Sequence, residues 1–321
     1  MRACRTDIGN TNMAWVKKGL IIKPEGQRDW LTTRAMLPTA MHLGGDIYRI
    51  YFSGGDDNNQ SRIGFIEIDI NEPEKILKLS DAPVLDMGQP GCFDDCGVSP
   101  TWVVNHEGKV YLYFMGWNRG SAVRVSEISG LAISHDGGLT FERHSRVPVI
   151  DRTAAEPFLI LVITCIIVTP EGVWRMWYDS TDAWLTPDLP KYNIKYAESR
   201  DGINWERKGV ISVDYKSPEE SRISKACVLY EDGLQKMWYC HAMGKNGYRM
   251  GYAEGLPTLD GTGFIRKDEQ VGITVSAEGW DSEMICYPMV FNHKGKKYML
   301  YCGNGYGRGG IGYAVWEDDK A

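Results

Sequence analysis

Acidic side chains gather just ahead of several apolar, strand-like runs, and their spacing is the first feature that could carry chemistry. FDDCGVSP contributes Asp94 and Asp95, DRTAAEPF contributes Glu156, PEESRIS contributes Glu220, and GWDSEMICYP contributes Asp281 and Glu283. Carboxyl groups held close together repel and raise one another's pKa, so a set facing one cleft can keep one member protonated and another ionised. Work on a glycosidic bond needs that division. One carboxyl gives a proton to the leaving oxygen while another attacks the sugar or activates water. These six acids are the candidate catalytic set, with Asp95 the leading base or stabiliser and Glu283 or Glu156 the leading acid.

Flat and polar residues lie in neighbouring loops and strand ends. Trp117, Trp280 and Tyr306 offer faces on which sugar rings stack, and Arg34, Arg119, Arg222 and His241 offer hydrogen bonds to hydroxyls; these seven are the candidate substrate-binding residues. Each also has a structural reading. An acid before a strand can cap a turn or pair with Arg34, Arg152 or Arg222, and an aromatic can be core packing, as is expected of the in-strand Trp174, Trp177 and Trp238. No pattern calls for a cofactor or a metal, because the eight cysteines form no CxxC pair and have no close His partner.

Acids this far apart in sequence converge only if a repeated architecture positions them. Five segments, GGDIYRIYFSGG, GKVYLYFMGW, GVWRMWYDS, GLQKMWYC and GKKYMLYCGNG, align on Tyr51, Tyr113, Tyr178, Tyr239 and Tyr301, at intervals of 62, 65, 61 and 62 residues. A further strand follows each, with Ile66, Ala132, Ala197, Ala253 and Ala314 in register, and another precedes each. Repeats of this length are the signature of propeller blades. The expected fold is an all-β, five-bladed β-propeller forming one domain, with blades near 30–85, 92–150, 152–212, 217–275 and 280–316. Innermost strands would then line a central channel, so residues leading into them would share one mouth. Counted back from the register tyrosine, Asp95 matches Glu283 and Asp94 matches Glu220.

The turns SHDGGLTF and SRDGINW close the third strand in two repeats, with Asp136 or Asp201 accepting backbone N–H groups and a following glycine tolerating positive φ. The fifth repeat stops after three strands, and WVKKGLI at 15–21 copies the spacing of WERKGVI at 205–211. The chain's first residues are therefore expected to supply the last blade's outer strand at 13–22 and remove an exposed edge. Deleting residues 1–22 should abolish soluble expression.

Composition narrows the partners. A formal net charge of −6 leaves no basic stripe for a nucleic-acid backbone. FLILVITCIIV is too short to span a bilayer and reads as a strand buried on both faces, so that side of the cleft should be apolar and blunt. MRACRTDIGN has no apolar signal region, and the cysteines read as reduced, buried hydrophobes; both point to the cytoplasm, with no membrane partner and a carbohydrate as substrate.

The five-fold repeat, the acidic lead-ins FDDCGVSP, EPF and GWDSEMICYP, and the turn YAESRDGINW resemble the five-bladed propellers of the arabinanase, levansucrase and invertase superfamily, which includes glycoside hydrolase families 32, 43 and 130. The likeness is greatest to uncharacterised glycosidase-like bacterial members, and SHDGGLTF resembles the Asp-box of sialidase-type propellers. The resemblance implies a glycosidase, or a related phosphorylase or transglycosidase, with Asp94 or Asp95 and Glu156 or Glu220 in the carboxyl roles. It also implies a first-blade aspartate before a proline, where this chain has Leu37 before Pro38. That departure leaves a non-catalytic carbohydrate-binding propeller as the alternative.

Overall fold

The computed structural model describes residues 13–318. Strand β1 (Met13–Ile22) opens the chain but is placed by its last elements. Unit one is β2 (Arg34–Gly44), β3 (Ile47–Gly55), β4 (Ser61–Asp69) and β5 (Ile76–Leu79), and unit two is β6 (Gly97–His106), β7 (Lys109–Arg119), β8 (Val125–Ser134) and β9 (Glu142–Arg143). Unit three is β10 (Ile160–Val168), β11 (Trp174–Thr186), β12 (Leu189–Ser199) and β13 (Trp205–Val213). Unit four is β14 (Glu220–Glu231), β15 (Leu234–Met243), β16 (Arg249–Gly255) and β17 (Ile265–Arg266). Unit five is β18 (Cys286–His293), β19 (Lys296–Cys302) and β20 (Ile311–Asp318), with β1 antiparallel to β20 through Trp15 opposite Trp316 and Lys17 opposite Ala314. Consecutive strands within each unit pair antiparallel.

The units are tied together at their inner strands. Each first strand neighbours two others, in the cyclic order β2, β6, β10, β14, β18. Short parallel bridges join the third strand of one unit to the first of the next, at Ser61 with Gly97, Glu127 with Ile160, and Tyr192 with Arg222. The five register tyrosines are completely buried, as are Trp177 and most of Trp174 and Trp238. Each such aromatic removes about 150–250 Å² from water, and at about 25 cal/mol/Å² these rings alone are a large share of the driving force.

The repeated turns fasten one unit to the next. Asp136 accepts hydrogen bonds from the hydroxyls of Ser134 and Thr140 and from the backbone N–H groups of Leu139 and Thr140, and Asp201 repeats the arrangement with Ser199, Ile203 and Asn204. Tyr51 of unit one donates its hydroxyl to the carbonyl of Gly138 in the first turn, and Tyr113 of unit two donates to Gly202 in the second, at 2.8 and 2.6 Å. Gly202 is required there: φ is +71°, and a β-carbon would lie 2.7 Å from both the Trp174 ring and the Tyr113 hydroxyl. Among the described residues no helix is long and apolar enough to cross a membrane.

Candidate active site

Where the inner strands meet, each carries a bulge. Register slips fall between Met36 and Thr39, Pro100 and Trp102, Ile163 and Cys165, Ser224 and Cys227, and Cys286 and Met289. The bulged residues Leu37, Thr101, Thr164, Lys225 and Tyr287 all line one cavity of about 420 Å³, a size suited to a small ligand. Leu37, Lys225 and Tyr287 have φ near +60°, a left-handed conformation uncommon for residues with bulky side chains. The bulges re-aim these side chains toward the common cavity.

Two carboxyl groups lie in the cavity, from adjacent units. Glu127 on β8 is half-buried and held by the parallel bridge to β10, its backbone N–H donating to Leu159. Asp179 on β11 is almost fully buried and accepts hydrogen bonds from the Ser224 hydroxyl and the Lys225 backbone N–H. Burial raises Asp179 to about 8 despite those two donors and the Lys225 charge, so it is protonated at neutral pH. Burial also raises Glu127, opposed by the charge of Arg124. Facing them are Arg34, Arg124, Arg222 and Arg308, together with Tyr192, Tyr248, Tyr287 and Tyr306. Lys225, fully buried, donates to the carbonyls of Thr101 and Thr164 on two other units, and burial lowers its pKa. The apolar wall expected from FLILVITCIIV is present as Ile160 and Val162.

Of the seven residues expected to bind substrate, Arg34, Arg222 and Tyr306 line this cavity. The other four have partners elsewhere. Trp117 donates to the Ser61 hydroxyl, Arg119 to the Asn58 carbonyl, and His241 pairs with Glu220. Trp280 stacks on Tyr301 with ring centroids 5.1 Å apart.

None of the six lead-in acids lines the cavity. Asp94 pairs with Arg143 at 2.7 Å, Glu156 with Arg207 at 2.8 Å, Glu220 with Arg266 at 2.7 Å and Asp281 with Lys17 at 2.6 Å. In every case the basic residue lies on the unit's fourth strand, directly opposite the register alanine: Ala132, Ala197, Ala253 or Ala314. The four pairs are one repeated staple between the lead-in and the outer strand. Unit one keeps the place but not the charge, with Leu31 fully buried in the lead-in and Leu79 opposite Ile66. Asp95 caps a turn through the Gly91 N–H and the Asn118 amide. Glu283 is exposed. The equal count of Asp94 and Glu220 is thus an equal place, since both are staple acids, whereas that of Asp95 and Glu283 is not, because the lead-ins differ in length; Asp94 corresponds to Asp281.

No family model matches the chain. Two curated relatives do, over nearly its full length. The uncharacterised protein MT1551 of Mycobacterium tuberculosis is 40% identical over 308 residues, covering 95% of this chain and 100% of the relative. The uncharacterised protein Rv1502 of the same species is 39% identical over the same length. The chain belongs to the Rv1502 family.

Solved structures supply the fold of this family. BT0996, in its RGII complex, superposes with a TM-score of 0.71 at 17% identity, covering 95% of this chain and 91% of that one. A glycoside hydrolase superposes with 0.71 at 16% identity, covering 96% and 93%. A thermostable family-43 glycoside hydrolase gives 0.61 at 14% identity, covering 88% of each chain. The fold of this Rv1502-family chain is the propeller fold of glycoside hydrolases, as its sequence resemblance implied.

The cavity carboxyls had signals that the lead-in acids obscured. At the position following the register tyrosine the units carry Phe52, Phe114, Asp179, Cys240 and Cys302, so Asp179 is the one charged residue in an apolar register position. Lys225 likewise interrupts the apolar run ISKACVL. The staples were legible too: FER, WER, FIR and WVK place an aromatic two residues before Arg143, Arg207, Arg266 and Lys17.

Proposed function

We propose that the chain is a glycoside-processing enzyme whose reaction takes place in the 420 Å³ cavity, and that its five units are the blades of one closed propeller domain, with β1 completing the last. The observation that carries this reading is that two carboxyls from adjacent units, Asp179 and Glu127, line one cavity. Asp179, held at about 8 by burial, carries a proton at neutral pH and gives it to the leaving oxygen. Glu127, half-buried and raised by burial against the opposing charge of Arg124, is the partner that in its ionised form attacks the sugar or activates the incoming acceptor. The tyrosines supply the stacking faces and hydroxyl donors that hold a sugar ring against the apolar surface of Ile160 and Val162. The unpaired state of the seven described cysteines supports a reducing compartment such as the cytoplasm.

The test is turnover of a panel of aryl glycosides and oligosaccharides, with and without phosphate as acceptor. Asp179→Asn and Glu127→Gln are each expected to lower turnover by about 10²- to 10⁴-fold. The lead-in acids are the competing assignment, so Asp95→Asn and Glu283→Gln enter the same assay. Wild-type rates in both cavity variants, with a loss in either of the others, would return the chemistry to the lead-ins. A second reading, a sugar-binding propeller without turnover, is favoured by Leu37 at the place of the first-blade carboxylate; it predicts binding heat with no product on any member of the panel.

A further inference from the structure

The charge balance of the cavity is unlike that of the rest of the protein. Eight other arginines sit in salt bridges with carboxylates. Among the described residues none of the four that line the cavity does, although the chain as a whole carries −6. The cavity's own carboxyls do not redress this: burial raises Asp179, Glu127 has Arg124 as its charged neighbour, and among the described residues neither forms a salt bridge with Arg34, Arg222 or Arg308. Arg222 is buried and Arg34 half-buried, while Arg124 and Arg308 are exposed; withdrawing the first two from water without a counter-ion is costly.

Three of the arginines gather on one side, on units one, four and five. Arg222 is the most constrained: its guanidinium lies over the Tyr248 ring at 4.9 Å, donates to the Tyr306 hydroxyl at 3.0 Å and to the carbonyls of Gly244 and Asn246, and leaves its buried Nε without a partner. Arg34 also has a buried Nε without a partner and bonds the Asn59 amide through its other end. Arg308 stands close enough to Arg34 for the two charges to repel, which adds to the effect of burial in lowering the pKa of Arg34. The turn that carries Tyr306 and Arg308 is pressed onto β2 at Gly307, where a β-carbon would lie 2.2 Å from the Ala35 carbonyl. This close approach places the turn that carries Arg308 beside the strand that carries Arg34. Planar guanidinium donors with free N–H groups match the oxygens of carboxylates and phosphates.

We propose that the saccharide received by this cavity carries an oxyanion, a carboxylate or a phosphate ester, bound by Arg34, Arg222 and Arg308. The inference rests on the reading of the cavity as a saccharide site and adds the charge of the ligand and its orientation. The anionic group lies toward units one, four and five, and the bond to be processed lies over Glu127 and Asp179 on units two and three.

The experiment is calorimetry on the full chain with hexuronates, hexose phosphates, the corresponding neutral hexoses, and inorganic phosphate alone, at low and high salt. Anionic sugars are expected to bind more tightly than their neutral counterparts, and more weakly as salt rises. Arg308→Gln and Arg34→Gln should each weaken the anionic sugars by roughly tenfold to a hundredfold, and by clearly more than they weaken the neutral ones. Arg308→Lys, which keeps the charge and loses the fork, should fall between. Equal binding of neutral and anionic sugars, insensitive to both glutamine variants, overturns the oxyanion inference and leaves the saccharide site standing. Binding of inorganic phosphate without any saccharide, or no binding at all, overturns both.

Discussion

Glu220 in the unit-four staple and Asp179 in the cavity are both nearly inaccessible to solvent, yet they ionise at opposite ends of the scale. Burial would raise Glu220, but hydrogen bonds from His241 and Arg266 outweigh it and hold the carboxyl at about 2. Burial raises Asp179 to about 8, because a serine hydroxyl and one backbone N–H are too little to offset it. Accessibility alone thus says nothing of a carboxyl's role; the number and charge of its donors decide it. Glu220 is fully committed to its partners, whereas Asp179 has few donors to offset its burial.

The strongest way to break this contrast is to treat a staple as if it were dispensable charge. Arg143→Leu leaves Asp94, which is only 1% exposed, as a buried unpaired carboxylate, and is expected to cost about 3–5 kcal/mol. The double change Asp94→Leu with Arg143→Leu copies the apolar arrangement of Leu31 and Leu79 in unit one, and should return stability to within about 1 kcal/mol of the parent or exceed it. Chemical denaturation of the three proteins measures both numbers. A double variant as unstable as the single one would mean that the charges do more than hold the outer strand.

Acidity sharpens the contrast further, since the two carboxyls pull stability in opposite directions. Glu220 is depressed, so its contribution is present above an unfolded pKa of about 4.3 and is lost as pH falls toward about 2. Asp179 is raised: between an unfolded pKa of about 3.9 and its folded value near 8, the folded state holds a proton that the unfolded state has released. Stability therefore declines as pH rises through that window. In thermal melts, Asp179→Asn should gain on the parent steadily from pH 5 to pH 8, by a few degrees at the upper end, and the gap should stop widening beyond that. Glu220→Gln should be worst at neutral pH and approach the parent as pH falls below 4. A flat difference for Asp179→Asn would place its folded pKa in the ordinary range and remove the proton donor from the proposed reaction.

How much of this was readable beforehand follows from what repeats. The tyrosine register, the S-x-D-G turns and the copy of WERKGVI in WVKKGLI are periodic signals, and strand pairing turns each into a place in the fold; β1 pairs with β20 through the residues that the copy indicated. The site is the part that does not repeat. Asp179 and Lys225 break the pattern of their own register positions, and Glu127 is brought in by a parallel bridge that no local spacing reveals. The acids that recur before the first strands of units two to five form the staples, and such recurrence is what a repeated fastening has and a unique site lacks.

The smallest test separates the two uses of the register tyrosine itself. In units one and two its hydroxyl fastens the next unit's turn, through Gly138 and Gly202, while in units three and five it reaches the staple acid, Tyr178 to Glu156 at 2.9 Å and Tyr301 to Asp281 at 3.0 Å. A neutral carbonyl acceptor is worth less than a charged one, so Tyr51→Phe and Tyr113→Phe should each cost about 1 kcal/mol, against about 1.5–3 kcal/mol for Tyr178→Phe. Hydrogen exchange adds a spatial reading. Tyr113→Phe should loosen the amides of the turn at 199–204, in the following unit, whereas Tyr178→Phe should loosen the lead-in at 153–156, in its own. If both variants loosened only their own unit, the tyrosines would be packing residues whose hydroxyls are incidental, and the joining of successive units would rest on the inner strands alone.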